Sequence, residues 1–365
     1  MGQQKMATLG VAVAGTGFGK QVHIPGLQRC EGLEVVAVYD RNLAKAQAVA
    51  QEFHIPRATD RFADLLERED VRVVSISTPP FLHFEMARDS LQAGKHIILE
   101  KPVTMNAGEA LELYHLARSR NLVAAVDFEL RYIPQWKHFR SLIPRVGKKR
   151  LVQVEWLVQG RANPQREWNW YSRKELGGGA LGALGSHVFD YLRWFFGGVR
   201  QLCAHLSTAI KARPDRSGVL QPVDTDDTCH ILAELVDGTP VSISISTVTY
   251  QGRGHWLTVY GEEGTLVLGS SNLKDYGHGF QVQFAPVGKE LEFVATAETF
   301  PEVFSDGRLA PFIALCQDFV RTVRGEITEL PTLKDGVYSQ QLMDLCHQSH
   351  HDRRWLSVSP QLLGA

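Results

Sequence analysis

The chain has 365 residues, 44 % of them hydrophobic, and 39 Lys plus Arg stand against 40 Asp plus Glu for a formal charge of -1. That length asks for two cores, and so even a charge offers no long-range pull on a polyanion, which argues against nucleic acid as a partner. No apolar run is long enough to cross a bilayer and residues 1–7 carry no apolar segment, so the chain reads as a soluble, cytoplasmic protein with no membrane partner.

Taken in order, residues 11–14, 33–38, 71–76, 96–99 and 122–126 are short, nearly unbroken apolar or β-branched runs. Such runs predict parallel strands that need cover on both faces, and the helical patterns over 43–53 and 84–93, the second closed by Gly94, supply it. Residues 1–126 thus read as a doubly wound α/β Rossmann domain. From 127 to 365 the character changes: 151–158, 229–236, 241–250, 256–260 and 265–268 are strand-like, and 241–249 alternates apolar with hydroxyl side chains over most of its length. This predicts an α+β domain built on a large open, mainly antiparallel sheet with one wetter face. A glycine-rich turn at 177–185 grades into a helix, and further helices are expected over 309–323 and 335–346, leaving a short tail that can lie back on the first domain.

The most informative local pattern is Gly15-Thr16-Gly17-Phe18-Gly19 directly after the first buried strand. Gly15 permits a tight turn and Gly17 a close backbone approach to pyrophosphate, but the third glycine of the fingerprint is one residue early, at Gly19, and Lys20 stands in its place. Lys20 faces either the phosphates or solvent. Asp40, twenty-five residues beyond Gly15, ends the second strand where a carboxylate meets both ribose hydroxyls. A 2′-phosphate would meet like charge there, which favours NAD; Arg41 beside it keeps NADP open. Thr78 and Pro79 leave the third of these strands in a rigid turn suited to lining the cofactor. Glu100-Lys101-Pro102 leaves the next strand, where Lys101 is suited to take a hydroxyl proton as hydride leaves the same carbon, although a surface salt bridge would explain the pair alone equally well.

With these motifs stand Ser77-Thr-Pro-Pro with His83, Ala93-Gly-Lys-His-Ile-Ile-Leu-Glu100-Lys101-Pro102, Arg131-Tyr-Ile-Pro134, and Gly177-Gly-Gly-Ala-Leu with Gly185-Ser-His187-Val-Phe-Asp190. In this order and spacing the chain resembles the glucose-fructose oxidoreductase, inositol dehydrogenase and rhizopine-catabolism family, the Gfo/Idh/MocA oxidoreductases. The resemblance implies hydride transfer between a nicotinamide cofactor and a sugar, cyclitol or related polyol, with Lys101 and His187 at the reacting centre. It also implies a homodimer or homotetramer formed through the second sheet. His83 and Glu100 fall with the cofactor segments. Many relatives carry Asp four residues before the histidine; here that residue is Ala183, and Glu129 stands where asparagine is common. Besides a dehydrogenase, two readings stay open: a lyase or glycosidase that oxidises a sugar carbon transiently with bound NAD, and a non-catalytic dinucleotide or sugar sensor.

Arg131 and Tyr132 read as substrate or interdomain residues, Asp190 as a support for His187, and Trp168, Asn169 and Trp170 as pocket residues, because sugar C–H faces pack on aromatic rings. Asp226-Asp227 reads as a charged surface turn. No metal is expected, since His347, His350 and His351 match no ligand spacing and read as an exposed helix end. The five cysteines, without a C-x-x-C pair, read as buried reduced thiols, and 147–150 as a solvated basic turn.

Overall fold

The computed structural model describes residues 8–272 and 274–359, so the start of the chain and the last residues of the tail lie outside the described residues. The chain divides into two compact units, Met1–Glu129 with Arg308–Val337, and Leu130–Gly307 with Tyr338–Ala365.

The first unit holds a six-stranded sheet of β1 (Leu9–Ala14), β2 (Leu33–Tyr39), β3 (Arg57–Thr59), β4 (Val71–Ile76), β5 (His96–Leu99) and β6 (Ala124–Val126). The order is β3-β2-β1-β4-β5-β6 and every pairing is parallel. Five of the strands answer the apolar runs, and Val11, Ala12, Val13 and Ala14 are all 0 % exposed because helices cover both faces. These helices are α1 (Ile24–Arg29), α2 (Leu43–Glu52), α3 (Phe62–Leu66), α4 (His83–Gln92) and α5 (Ala107–Ser119). The chain reverses its direction of travel across the sheet between β1 and β4, and the strand carboxyl ends open there into the crevice where such sheets bind ligands.

In the second unit, α6 (Pro134–Leu142) precedes β7 (Lys149–Leu157), and α7 (Ser186–Phe196) leads into β8 (Val199–Ser207). A hairpin of β9 (Ala212–Pro214) and β10 (Leu220–Pro222) follows, then β11 (Thr228–Leu235), β12 (Pro240–Ser246), β13 (Gly254–Gly261) and β14 (Gly264–Ser270). A short α8 (Tyr276–Gly279), β15 (Gln281–Pro286) and β16 (Glu292–Phe293) come before α9 (Leu309–Val323), α10 (Leu333–Asp352) and β17 (Leu356–Ser357). The nine-stranded sheet runs β16-β15-β14-β13-β7-β12-β11-β8-β17 and is antiparallel except where β12 pairs with β7. Val152, Val154 and Trp156 alternate with Gln153 and Glu155, so one face is core and the other wet. The expected sheet lacks β8, β15 and the two-residue edge strands β16 and β17.

Two expectations about boundaries need correction. Residues 308–337 do not stay with the second domain: α9 packs on α1, where a Cβ on Gly26 would lie 2.5 Å from the Phe312 ring, and Leu333 and Val337 join the first core. The terminal tail, within the described residues, does not return to the first unit either, because β17 adds an edge strand to β8. Amphipathicity marks a helix but not the core that receives it. Among the described residues no helix is long and apolar enough to cross a membrane.

Candidate active site

In the first unit the glycine turn closes against the strand beside it. Gly15 has φ +106°, and a Cβ on it would lie 2.8 Å from the Ser77 carbonyl oxygen, so only glycine serves. At Gly17 a Cβ would meet nothing within 4 Å; here the backbone borders open space. Gly19 does the work of the displaced third glycine, since a Cβ there would sit 2.5 Å from Ser77 Oγ and 3.2 Å from Val13. The early glycine is accommodated by a π-helical turn over Gly19–His23, in which the Ile24 N–H reaches back to the Gly19 carbonyl before α1 begins. Lys20 pairs with Glu52 at 2.7 Å on the surface. Thr16 Oγ1 donates to one oxygen of Asp40 and the Asn42 N–H to the other at 2.9 Å, while Arg41 is exposed. Phe18 packs edge-on to His23 and lies under the Arg308 guanidinium. An open glycine backbone at the reversal of the sheet, with a carboxylate ending β2, fits a dinucleotide's pyrophosphate and ribose.

The ends of β4, β5 and β6 bring together groups far apart in the chain. His83, expected beside the cofactor, is 1 % exposed and presents its ring nitrogens to the carbonyls of Thr78 and Pro102, each at 2.8 Å. It ties the turn of Thr78 and Pro79 to the segment after Lys101. The Lys101–Pro102 peptide is cis. Glu100 accepts a hydrogen bond from His23 Nε2 at 3.0 Å, and its other oxygen faces the Lys101 N–H at 3.3 Å. Ser75 Oγ meets the remaining His23 nitrogen at 2.7 Å. Burial alone would raise the Glu100 carboxyl, but His23 and Lys101 hold it down at about 2. Asp127, with an oxygen 3.7 Å from His23 Nε2, goes the other way: burial and the neighbouring Glu129 and Glu100 raise it well above the carboxylate range. Glu129 is raised to about 7, by burial foremost, with Lys101 opposing and Glu100 adding. His23, Glu100 and Asp127 form the one close group of potential ligand atoms among the described residues, and the 3.0 Å contact within it is an ordinary hydrogen bond.

His23 lies four residues past Gly19, and Asp127 belongs to none of the sequence motifs. The legible signal was positional: Glu100 and Asp127 each directly follow a strand, and β5 and β6 are neighbours with Leu99 opposite Val126.

In the second unit a second π-helical turn, Leu181–Gly185, precedes α7. Asp226 fastens it, accepting the Leu181 N–H on its side chain at 2.7 Å and the Ala180 N–H on its carbonyl at 2.9 Å. Asp227 accepts the N–H groups of Ala209 and Ile210. Both aspartates are buried, which corrects the surface-turn expectation; their role is structural. His187, 4 % exposed in the first turn of α7, lies 6.0 Å from the Trp156 ring, which stacks on His255 at 3.8 Å. Tyr191 Oη is 3.2 Å from His255 Nε2. Burial pushes the His255 imidazole down to about 3. Asp190 takes the Arg131 guanidinium on both oxygens, through Nε at 2.9 Å and through Nη2. The pair ties α7 to the turn Glu129–Tyr132, and Tyr132 is buried with Lys137 over its ring. Trp168 donates its indole N–H to the Pro222 carbonyl at 2.8 Å under Arg173, Asn169 caps the Tyr171 N–H at 3.0 Å, and Trp170 packs on Tyr171. At the end of α10, His351 is exposed, but His347 and His350 are half-buried and His350 accepts the Leu206 N–H.

Residues 9–128 match an oxidoreductase family described by its NAD-binding Rossmann fold, and residues 143–358 match the C-terminal alpha/beta domain of the same family. An uncharacterised oxidoreductase of Synechocystis sp. is 48 % identical over 97 % of both chains. The levoglucosan dehydrogenase of Pseudarthrobacter phenanthrenivorans is 27 % identical over 89 % of each. Among solved structures, levoglucosan dehydrogenase in complex with NADH and L-sorbose superimposes with a TM-score of 0.86 at 24 % identity, covering 97 % of this chain and 100 % of that one, a likeness of fold. The displaced glycine, the Asp40 carboxylate and the Glu100-Lys101 strand end thus sit in a recognised frame, and the chain is an NAD-binding oxidoreductase of the Gfo/Idh/MocA family.

Proposed function

We propose that the protein passes hydride between NAD and a secondary hydroxyl of a sugar, cyclitol or related polyol. The observation that carries this is the support beneath Lys101: Glu100, locked by His23, holds the lysine segment at the carboxyl end of β5, in the sheet whose glycine turn fits the dinucleotide. The backbone of residues 15–19 holds the pyrophosphate, Asp40 the ribose, and Thr78 and Pro79 line the nicotinamide half. When bound, the cofactor supplies the hydride acceptor. Lys101 takes the hydroxyl proton and His187 orients the same oxygen. Arg131, engaged by Asp190, steadies the helix that carries His187, while Tyr132, Trp168, Asn169 and Trp170 shape the substrate side. Levoglucosan dehydrogenase, whose solved complexes hold NADH with L-sorbose or with levoglucosan, lends support to a sugar substrate.

The same reading takes the protein as a cytoplasmic homo-oligomer. All five cysteines are free, as suits a reducing compartment. The outer sheet face exposes Leu232 and Tyr260, with Phe293 at its edge, as suits pairing through the sheet. Light scattering on the purified protein tests that part. For the reaction, a panel of polyols and sugars is assayed with NAD and NADP alongside a test for released aglycone. Stoichiometric ketone and NADH support the dehydrogenase; aglycone without net NADH makes it a redox-cycling lyase or hydrolase, and NADH binding with no turnover makes it a sensor.

A further inference from the structure

Ser75 is a hydroxyl sunk in an apolar strand. It lies in β4 with Val73, Val74 and Ile76, all fully buried between β1 and β5. A hydroxyl there is costly unless it is hydrogen-bonded, and its partner is His23 Nδ1 at 2.7 Å. His23 is itself fully buried, its ring centroid 5.4 Å from that of Phe18 and 4.5 Å from that of Phe312. Its Nε2 meets Glu100 Oε1 at 3.0 Å, with Asp127 farther off at 3.7 Å, and the second Glu100 oxygen accepts the Lys101 N–H at 3.3 Å. His83 meets the Pro102 carbonyl at 2.8 Å, so the backbone is gripped on both sides of Lys101. An unbroken line of contacts thus runs from β4, through the turn after β1, to the peptide of Lys101.

Each hydrogen on this line has one place to go. Glu100 is held down at about 2 and stands as a carboxylate. A ring nitrogen presenting its lone pair would repel that carboxylate, so Nε2 carries the hydrogen and donates it. Among the described residues the Ser75 hydroxyl has no acceptor but Nδ1, so it donates there and Nδ1 keeps its lone pair. We infer that Ser75 and His23 are positioning residues for Lys101: the serine fixes the histidine in the tautomer that donates to Glu100, and Glu100 holds the lysine peptide in place for proton transfer. This rests on the assignment of Lys101 above. Without the serine hydroxyl, Nδ1 is a buried lone pair with no donor, and the ring recovers a partner only by turning or by taking a second proton. Either change alters what Glu100 receives and loosens its hold on Lys101. His23 also closes the π-helical turn that begins at Gly19, so the glycine turn and the lysine segment share this one side chain.

The test uses the full chain in two arms. Nitrogen NMR of histidine-labelled protein at neutral pH, with the His23 signals assigned by their loss in His23→Gln, shows hydrogen on Nε2 and a lone pair on Nδ1. In Ser75→Ala that pattern is lost, and the Lys101 backbone amide proton moves upfield as its acceptor loosens. In the second arm, with a substrate from the panel, kcat per NADH-binding site falls by about 10-fold in Ser75→Ala and about 100-fold in His23→Leu, while KM and NADH affinity stay within about twofold. Ser75→Cys, which nearly keeps the volume with a weaker donor, moves both readouts the same way by less. Hydrogen on Nδ1 in the wild type overturns the inference, and so does either serine variant with wild-type His23 and Lys101 signals or wild-type kcat per site. If no sugar or polyol turns over, the proposed function falls while the NMR arm still decides whether Ser75 and His23 hold Lys101.

Discussion

At the carboxyl ends of β5 and β6 the first unit buries Glu100, Asp127 and Glu129, with Glu100 and Asp127 against His23. Beneath α7 the second unit surrounds His255 instead with Trp136, Trp156, Tyr191 and Phe280. Each burial opposes charge, but the consequences are opposite. A carboxyl raised from 4.5 to about 7 keeps its proton in the native state after the unfolded chain has lost it. Stability is therefore lost as pH rises across that interval. An imidazole lowered from 6.5 to about 3 stays neutral while the unfolded chain charges, so its contribution is whole above 6.5 and lost as pH falls towards 3. The first unit keeps protons on buried carboxyls that the unfolded chain would lose; the second keeps a buried imidazole neutral beneath the helix of His187.

Five substitutions break or sharpen that contrast. Lys101→Met removes the amine proposed to take the hydroxyl proton, and stopped-flow hydride transfer should fall by about 1,000-fold with NADH affinity kept; a rate near wild type would strip Lys101 of its role. Arg131→Met leaves Asp190 buried without its cation, and the urea midpoint should drop by the equivalent of about 3–5 kcal/mol; a drop confined to activity would mean that Arg131 serves substrate instead of α7. The pH contrast itself is read from urea midpoints at several pH values. Glu129→Gln should remove a loss on alkalinisation, and His255→Phe a loss on acidification, each with a slope of up to roughly 1.4 kcal/mol per pH unit. Unchanged slopes would dissolve the contrast. Smallest, Asp40→Ala should weaken NAD by about tenfold and NADP less; equal losses by fluorescence titration would remove the carboxylate from cofactor choice.

Much of the frame was legible. Apolar runs marked five of the six Rossmann strands, and the alternation in β12 marked a sheet with one wet face, because these patterns follow from which faces a strand must bury. Asp40 and Glu100-Lys101 were legible because a charge directly after a buried strand has few places to go. Gly19 was a different matter. It read as a defect in the fingerprint, and only the contact with Ser77 and the π-helical turn after it show that one residue of register is absorbed locally. Asp226 likewise read as a surface charge; the N–H groups it satisfies come from a segment forty-five residues away.

The chain alone therefore determined its element types, the order of its two sheets in sequence, and the chemistry available at each strand end, since periodicity and local turn stereochemistry are short-range. Tertiary structure decided that α9 returns to the first core, that β17 closes the second sheet, and that Glu100, Asp127 and Glu129 share one low-dielectric site. Their pKa values are the clearest case: a carboxyl's proton is held by burial and by neighbours distant in the chain, and neither is written at its own position.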